Sequence, residues 1–449
     1  MHITDRPREG GGFVVSTTQK LVLKRGATAL ETEGSSSVVE DARGRVQGFR
    51  TTQKMAKEAN EAVGVLEDGA FAVTDTLGGK NPRASRVPLD PDAVGLHRAE
   101  EILREKLKIP GDTIEVTIFV PEFRKCTRQK AVFEREEEVD LQGKKKTLRR
   151  VKVTLDALPN VETVAWYDDA FETQKSVISI LGMEMITYRS TPEAVLAEDL
   201  SSPPEIFFAS SIPVSRKIPS DAIEATYKIT SKTGTFPVKP GGKLFPAAGQ
   251  EVVNEDVPAV RVLRVRMVTP RETPALPLKI QPELDEYLRA SSFIQSDDRE
   301  IVDVAKKQAG TERDALKVAR GLEKWVHENV KGKNLNTAFA TAKEVLETRE
   351  GDCTEHSVLL AALLRAAGLP SRVVAGLVYY DGVFVGHMWT EVHIGEWVPL
   401  DAAMGRSAVG ADHIALSTSS LDSANVAEVF LDILPVIGNA RIEVVSVGG

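Results

Sequence analysis

Cysteine is nearly missing from this 449-residue chain; Cys126 and Cys353 are the only two. A disulfide framework or a four-cysteine zinc site is therefore excluded, and the redox compartment stays open. No apolar run approaches the ~20 residues of a membrane-spanning helix. The opening residues Met1-His2-Ile3-Thr4-Asp5-Arg6 mix both charges and do not form a signal peptide. Cytoplasmic is the default location, with export open if the N-terminus is incomplete, because the chain starts on strand-like sequence. No sign of charge dominates: 57 Lys and Arg against 65 Asp and Glu give a net charge of -8, which argues against a nucleic-acid surface. Repeats are absent. So are closely spaced aspartates in the last third, which removes a calcium site.

What is present is the composition of a globular protein, 42% hydrophobic and 27% charged, at a length that suggests two to four domains. Residues 1–200 read as a β-rich domain of unassigned role. β-branched residues run through Gly12–Thr18 and Gln19–Lys24, Asp41–Arg45 is a turn, and Leu96–Leu107 has helical spacing. The basic run Gly143-Lys144-Lys145-Lys146 lies between two strand-like segments and reads as a solvated hairpin tip. Residues 201–276 form a second β-rich unit that ends in the proline-rich linker Thr269–Pro277. Past it, from residue 277 to 449, the period turns helical. Helices are expected over Pro282–Ala290, Asp297–Ala309, Thr311–Val330 and Thr341–Thr348, and near the end over Val426–Ile437. In the third, Trp325 belongs to an apolar face and is expected in the core.

The stretch that can carry chemistry is Gly351-Asp352-Cys353-Thr354-Glu355-His356, followed by the apolar run Ser357–Gly368. Asp352 and Glu355 have the spacing of a capping box, which makes Cys353 the first residue of a buried helix. A thiol there faces unpaired backbone N–H groups and the positive end of the helix dipole, conditions that lower a cysteine pKa. Ser371–Tyr380 and Val383–Ile394 then read as strands joined at Asp381-Gly382. His387, Trp389, Glu391 and His393 share one face of the second strand. Trp397–Asp401 is a third short strand. Cys353, His387 and Asp401 thus follow one another as nucleophile, base and orienter.

Gly-Asp-Cys before an apolar helix, Gly386-His387-Met388-Trp389-Thr390-Glu391, and Trp397-Val398-Pro399-Leu400-Asp401 together resemble the core of the transglutaminase-like superfamily, over about Gln281–Arg406. The resemblance implies an α+β architecture: a predominantly antiparallel β N-terminal region, then a C-terminal papain-like domain. It also implies a Cys353–His387–Asp401 triad and acyl transfer through a thioester. The expected function is a cysteine enzyme acting on an amide or peptide bond of a protein or peptide substrate, by hydrolysis. The alternatives are a protein-crosslinking transglutaminase and a catalytically silent scaffold, the last disfavoured by the intact residue set. No cofactor and no metal are expected. The competing use of Cys353, a zinc site with His356, His387 and His393, offers metal-like spacing only in Cys353-x2-His356. Glu391 and His393 are read as outer or surface residues, and His356 as a capping or core residue. Trp389 is read as a shield over the site. The Cys353 N–H is one oxyanion donor; Asn334, Asn336 and Trp389 are open for the second.

The spacing makes one further demand. A two-residue turn at Gly395-Glu396 would pair Asp401 with Thr390, on the face opposite His387. Only a three-residue loop, Ile394-Gly395-Glu396, or a bulge brings Asp401 to the His387 side.

Overall fold

The computed structural model describes residues 1–449 other than 26–27, 55–58, 78–79, 181–182, 192–210, 233, 235, 237–244, 246, 271, 332–339, 407, 422–432, 434–435 and 449. The chain divides into two compact units. One comprises Met1–Val22, Thr32–Lys54 and Ala59–Pro204; the other comprises Glu205–Gly449 with the short stretches Leu23–Glu31 and Met55–Glu58.

The first unit is built from antiparallel hairpins. Strands β1 (His2–Pro7), β2 (Phe13–Arg25), β3 (Thr28–Glu40), β4 (Val46–Lys54), β5 (Ala59–Glu67), β6 (Ala70–Leu77) and β7 (Lys80–Pro88) form a seven-stranded sheet in sequence order. After helix α1 (Leu96–Lys106), a six-stranded sheet follows: β8 (Thr113–Val120), β9 (Lys125–Leu141), β10 (Lys144–Leu155), β11 (Leu158–Tyr167), β12 (Thr173–Ile180) and β13 (Met183–Tyr188). Phe119 of β8 packs on Phe49 and Phe71 of the first sheet, with ring centroids 5.1 and 4.8 Å away. Leu103 of α1 and Leu107 just beyond it bury against Ala131, Phe133 and Val151 of the second sheet. The lysine run is the hairpin tip expected: Gln142 and Gly143 turn with φ of 56° and 91°, and Lys144 pairs with Leu141.

In the second unit, β14 (Ile212–Pro213), β15 (Glu224–Ser231), β16 (Gln250–Asn254) and β17 (Val260–Arg266) precede the helical segment. A 3-10 turn covers Pro282–Tyr287, followed by α2 (Arg299–Ala309), α3 (Ala315–Asn329), α4 (Ala342–Thr348) and α5 (Cys353–Ala366). Then come β18 (Ser371–Tyr380), β19 (Val383–His393), β20 (Trp397–Leu400), β21 (His413–Ser419) and β22 (Ala440–Gly448). The site-bearing sheet has the order β14-β19-β18-β21, with β20 also paired to β19. The other sheet runs β16-β17-β15-β22.

Three expectations shift. The helix from Pro282 shrinks to one 3-10 stretch, its last cap bond running from the Leu288 N–H to the Asp285 carbonyl. α3 starts at Ala315 rather than Thr311 because the acidic residues before it serve as caps. The Asp314 carboxylate accepts from Lys317 N, and the Glu312 carboxylate accepts from the N–H groups of Arg313 and Asp314. The division expected at residues 276 and 277 also moves. β22, from the chain's end, pairs with β15, and β14 pairs with β19, so residues 205–276 and 277–449 close into one unit. The linker itself is tied down, with Leu276 N donating to Arg313 O and Ala315 N to Pro274 O. The expected helix at Val426–Ile437 lies almost entirely outside the described residues.

Candidate active site

The capping box that frames Cys353 forms in full. Asp352 Oδ1 accepts from Thr354 N at 2.8 Å, and Glu355 Oε2 accepts from Asp352 N at 2.9 Å. Glu355 reaches further, accepting from Ala340 N at 3.0 Å, and so anchors the helix start to the chain before α4. Burial, with Asp352 beside it, pushes the Glu355 carboxyl well above the usual range. Gly351 is required here, since a Cβ would stand 2.2 Å from Glu355 Cβ. α5 is buried along nearly its whole length and is tied to β19 by Thr390 Oγ1, which donates to Ser357 O at 3.0 Å. Its first residue, Cys353, is half-buried, and its side chain lies close enough to His387 to help raise that ring's pKa.

β18 and β19 join through Asp381 and Gly382, at φ of 43° and 89°, so the hairpin closes in a two-residue turn and His387 pairs with Gly376. Between β19 and β20 the loop is the three-residue one: His393 pairs with Trp397, and Thr390 with Leu400. Asp401 follows directly, and its Oδ2 lies 2.8 Å from His387 Nε2. Asp401 Oδ1 accepts from Ala403 N and Met404 N at 3.0 and 3.1 Å, which fixes the carboxylate. Its backbone N–H donates to Glu323 of α3 at 2.6 Å.

Electrostatics follow from this burial. Enclosure pushes the His387 pKa down, but Asp401 and the Cys353 side chain outweigh it and hold the ring's pKa up, at about 9. Burial raises Asp401, yet His387 and His413 together hold it far below the usual carboxylate range. Trp389 packs beside the site, 6.2 Å from the His387 ring and 5.2 Å from that of His413. Gly376 makes room for it: a Cβ there would come within 2.7 Å of the indole. The Trp389 Nε1 is buried with no hydrogen-bond partner among the described residues.

The other histidines disperse. His356 Nδ1 and Nε2 face the carbonyls of Asp352 and Val330 at 2.6 and 3.1 Å, a core role. His393 stacks edge-on against Trp397 at 5.2 Å. The alternative zinc set is thus not assembled. His387, Asp401 and His413 do converge, with donor atoms within 4.8 Å of one another. Both Nε2–Oδ2 separations, 2.8 and 3.2 Å, are those of hydrogen bonds, and Asp412 holds the other nitrogen of His413, so the three side chains form a hydrogen-bonded ion-pair network. Glu391 is a correction. It is not a surface residue but fully buried, paired to Arg372 at 2.7 Å and accepting from Ala248 N at 2.9 Å. Trp325 is half-buried, with the Arg349 guanidinium 4.7 Å from its ring. Asn334 and Asn336 lie outside the described residues.

Sequence reasoning passed over Glu323, Asp412 and His413. Glu323 gave a signal, as a carboxylate next to Leu322 and one turn from Val326 on the buried side of α3. His413 gave none, because nothing local distinguishes a histidine that opens a strand.

A helix-borne thiol, a strand-borne histidine and an aspartate one strand over thus come together in the second unit. Residues 302–402 match the family model of the transglutaminase-like superfamily. An uncharacterized protein of Haemophilus influenzae is 29% identical over 109 residues, which is 23% of this chain; the match spans only 29% of that relative. Among solved structures, a candidate cysteine protease of Cytophaga hutchinsonii is 16% identical, covering 49% of this chain and 83% of its own, at a TM-score of 0.33. The periplasmic domain of TgpA from Pseudomonas aeruginosa, bound to ethylmercury, is 17% identical, covering 44% and 76%, at a TM-score of 0.28. Residues 302–402, within the second unit, form a transglutaminase-like segment, an assignment that rests on the family match and the three motifs rather than on those whole-chain overlaps.

Proposed function

We propose that this protein is a cysteine enzyme that cleaves an amide or peptide bond through a Cys353 thioester. The observation that supports it is the His387–Asp401 hydrogen bond at 2.8 Å, with Cys353 at the start of α5 close enough to the ring to help raise its pKa. Cys353 is the nucleophile, His387 its ion-pair partner and acid–base group, and Asp401 the group that orients the ring. The thiolate attacks the carbonyl carbon, and the Cys353 N–H, at the first position of α5, donates to the developing oxyanion. His387 gives its proton to the leaving amine as the C–N bond breaks. A water then loses a proton to His387 and attacks the thioester, releasing the acid and restoring the thiolate–imidazolium pair. Crosslinking is the second reading: it shares the first half of this cycle and differs only in the amine that replaces water.

The test has two arms. A free cysteine near pKa ~8.5 is only ~3% thiolate at neutral pH. At pH 6, Cys353 should therefore alkylate faster than Cys126, whose thiol burial pushes up, and His387→Ala should erase the difference. Equal rates in the wild type defeat the ion-pair reading. Intact mass should then show an acyl adduct on peptide libraries. Adding a primary amine separates hydrolysis from transfer by the mass of the product.

A further inference from the structure

His413 lies outside every motif above, yet it meets the site from the far side. β21 pairs with β18, and His413 pairs with Val378, two residues along from the Gly376 that pairs with His387. Both histidines therefore project from the same face of the sheet. Their rings stand 5.7 Å apart between centroids. His413 Nε2 stands 3.2 Å from Asp401 Oδ2, the oxygen that His387 also holds. His413 Nδ1 stands 2.8 Å from Asp412 Oδ1. The side chain is only 2% exposed, so water satisfies neither nitrogen.

A neutral imidazole carries one N–H and cannot donate to two carboxylates. His356, whose ring nitrogens lie beside backbone carbonyls rather than carboxylates, has its pKa pushed down by burial. At His413 burial acts the same way, but two carboxylates reverse it and push the pKa up. The surroundings keep both carboxylates charged. Asp412 is capped by Arg406 on its other oxygen, and Asp401 is held by backbone N–H groups. From α3, Glu323 takes the Asp401 N–H and pairs with Arg320; from β15, the Tyr227 hydroxyl donates to Ala411 O beside Asp412. The line Arg406–Asp412–His413–Asp401–His387 then alternates in charge along its length.

We propose that His413 is a positioning residue for the Cys353–His387 pair, a buried imidazolium that shares Asp401 with His387 and weakens the hold of that carboxylate on the His387 proton. The role rests on the thiol-enzyme reading given above. A carboxylate divided between two cations binds the proton of each less firmly than one committed to a single ring. His387 must release its proton to the leaving amine, so a looser hold favours that step. With the His413 charge removed, His387 keeps its proton to higher pH. For charges about 6 Å apart in a partly polar interior, that is a shift of about one pH unit.

Two measurements test it. In protein labelled with 15N-histidine, His413 should have both ring nitrogens protonated from pH 6 to 8, and Asp412→Asn should bring its titration into that range. A neutral His413 ring in the wild type at pH 7, or an unchanged titration in the variant, overturns the proposal, and neither depends on turnover. The second is the pH profile of Cys353 alkylation by iodoacetate, whose charge is drawn by the His387 imidazolium. In His413→Gln the alkaline limb should move up by about one unit. Slower reaction at every pH with unmoved limbs would mean packing alone and overturns the role. Equal reactivity of Cys353 and Cys126 in the wild type sinks the thiol-enzyme reading itself, whereas an unmoved limb with the Cys353 preference intact sinks only the role of His413.

Discussion

Two buried aspartates, one in each unit, show what separates a structural charge from a chemical one. Asp75 of the first unit meets Arg124 in a bidentate pair, at 2.6 and 3.0 Å, with side chains 5% and 8% exposed. Asp401 of the second unit meets two histidines at 2.8 and 3.2 Å and is 3% exposed. Burial is similar, and each carboxylate takes two side-chain hydrogen bonds. The partners differ in one respect: a guanidinium does not give up its proton in a protein, and an imidazole does. Asp75 can only hold Arg124 in place, while Asp401 can also set where a proton resides.

The sharpest way to break this comparison is to neutralise both. Asp401→Asn should lower kcat by about 10²–10⁴-fold with far-UV circular dichroism unchanged, and Cys353→Ala should abolish turnover. Asp75→Asn should leave kcat alone and destabilise the first unit by about 3 kcal/mol, read from its urea midpoint, because Arg124 is left buried without its partner. If the two Asp→Asn variants gave the same signature, the distinction would collapse.

Next in size is pH. His387 has a pKa raised to about 9, so its imidazolium, and turnover with it, should be lost as pH rises through that value. The same shift is a stability statement. A raised pKa contributes stability that is fully present below the ordinary histidine value of ~6.5 and is lost as pH climbs through the folded one. Asp401 is depressed, so its contribution is present above the ordinary ~3.8 and is lost as pH falls toward its folded value. Melting temperatures of wild type and Asp401→Asn should therefore diverge most between about pH 4 and 6.5 and converge by pH 10. A difference that stays constant with pH would contradict the ion pair.

Smaller effects sharpen the picture. Glu323→Gln weakens the bond to Arg320 and the grip on the Asp401 N–H, and should cost about 1–2 kcal/mol with a modest fall in kcat. At the bottom lies Lys145→Ala, which removes the hairpin-tip pair with Glu138. Those side chains are 70% and 61% exposed, so the change in the unfolding midpoint should correspond to less than about 0.5 kcal/mol.

Much of the site was legible because it is local. Asp352, Cys353 and Glu355 fall within one helical turn, where capping chemistry is written in the residue types. Asp381-Gly382 names its own turn, and the two-residue period of a strand forced the three-residue loop before Trp397. The first unit was readable as strands for the same reason. Its hairpins join neighbours in sequence, so each pairing is a short-range event. Composition marks a linker near residue 277 but not a strand such as β22, which returns to β15 from about two hundred residues away.

Histidine draws the line most clearly. By sequence His393 is the better companion for His387, on the same strand and the same face, while His413 has no credential at all. The sequence by itself determined that Cys353 opens a capped, buried helix and that His387 and Asp401 can reach one side of one sheet. Strand order decided the rest. Pairing β21 beside β18 brings His413 onto Asp401, and the strand that carries His387 carries His393 off to Trp397. A backbone period tells which face a side chain takes. Which distant strand lies alongside it depends on how the whole chain buries its apolar surface, and no local pattern records that.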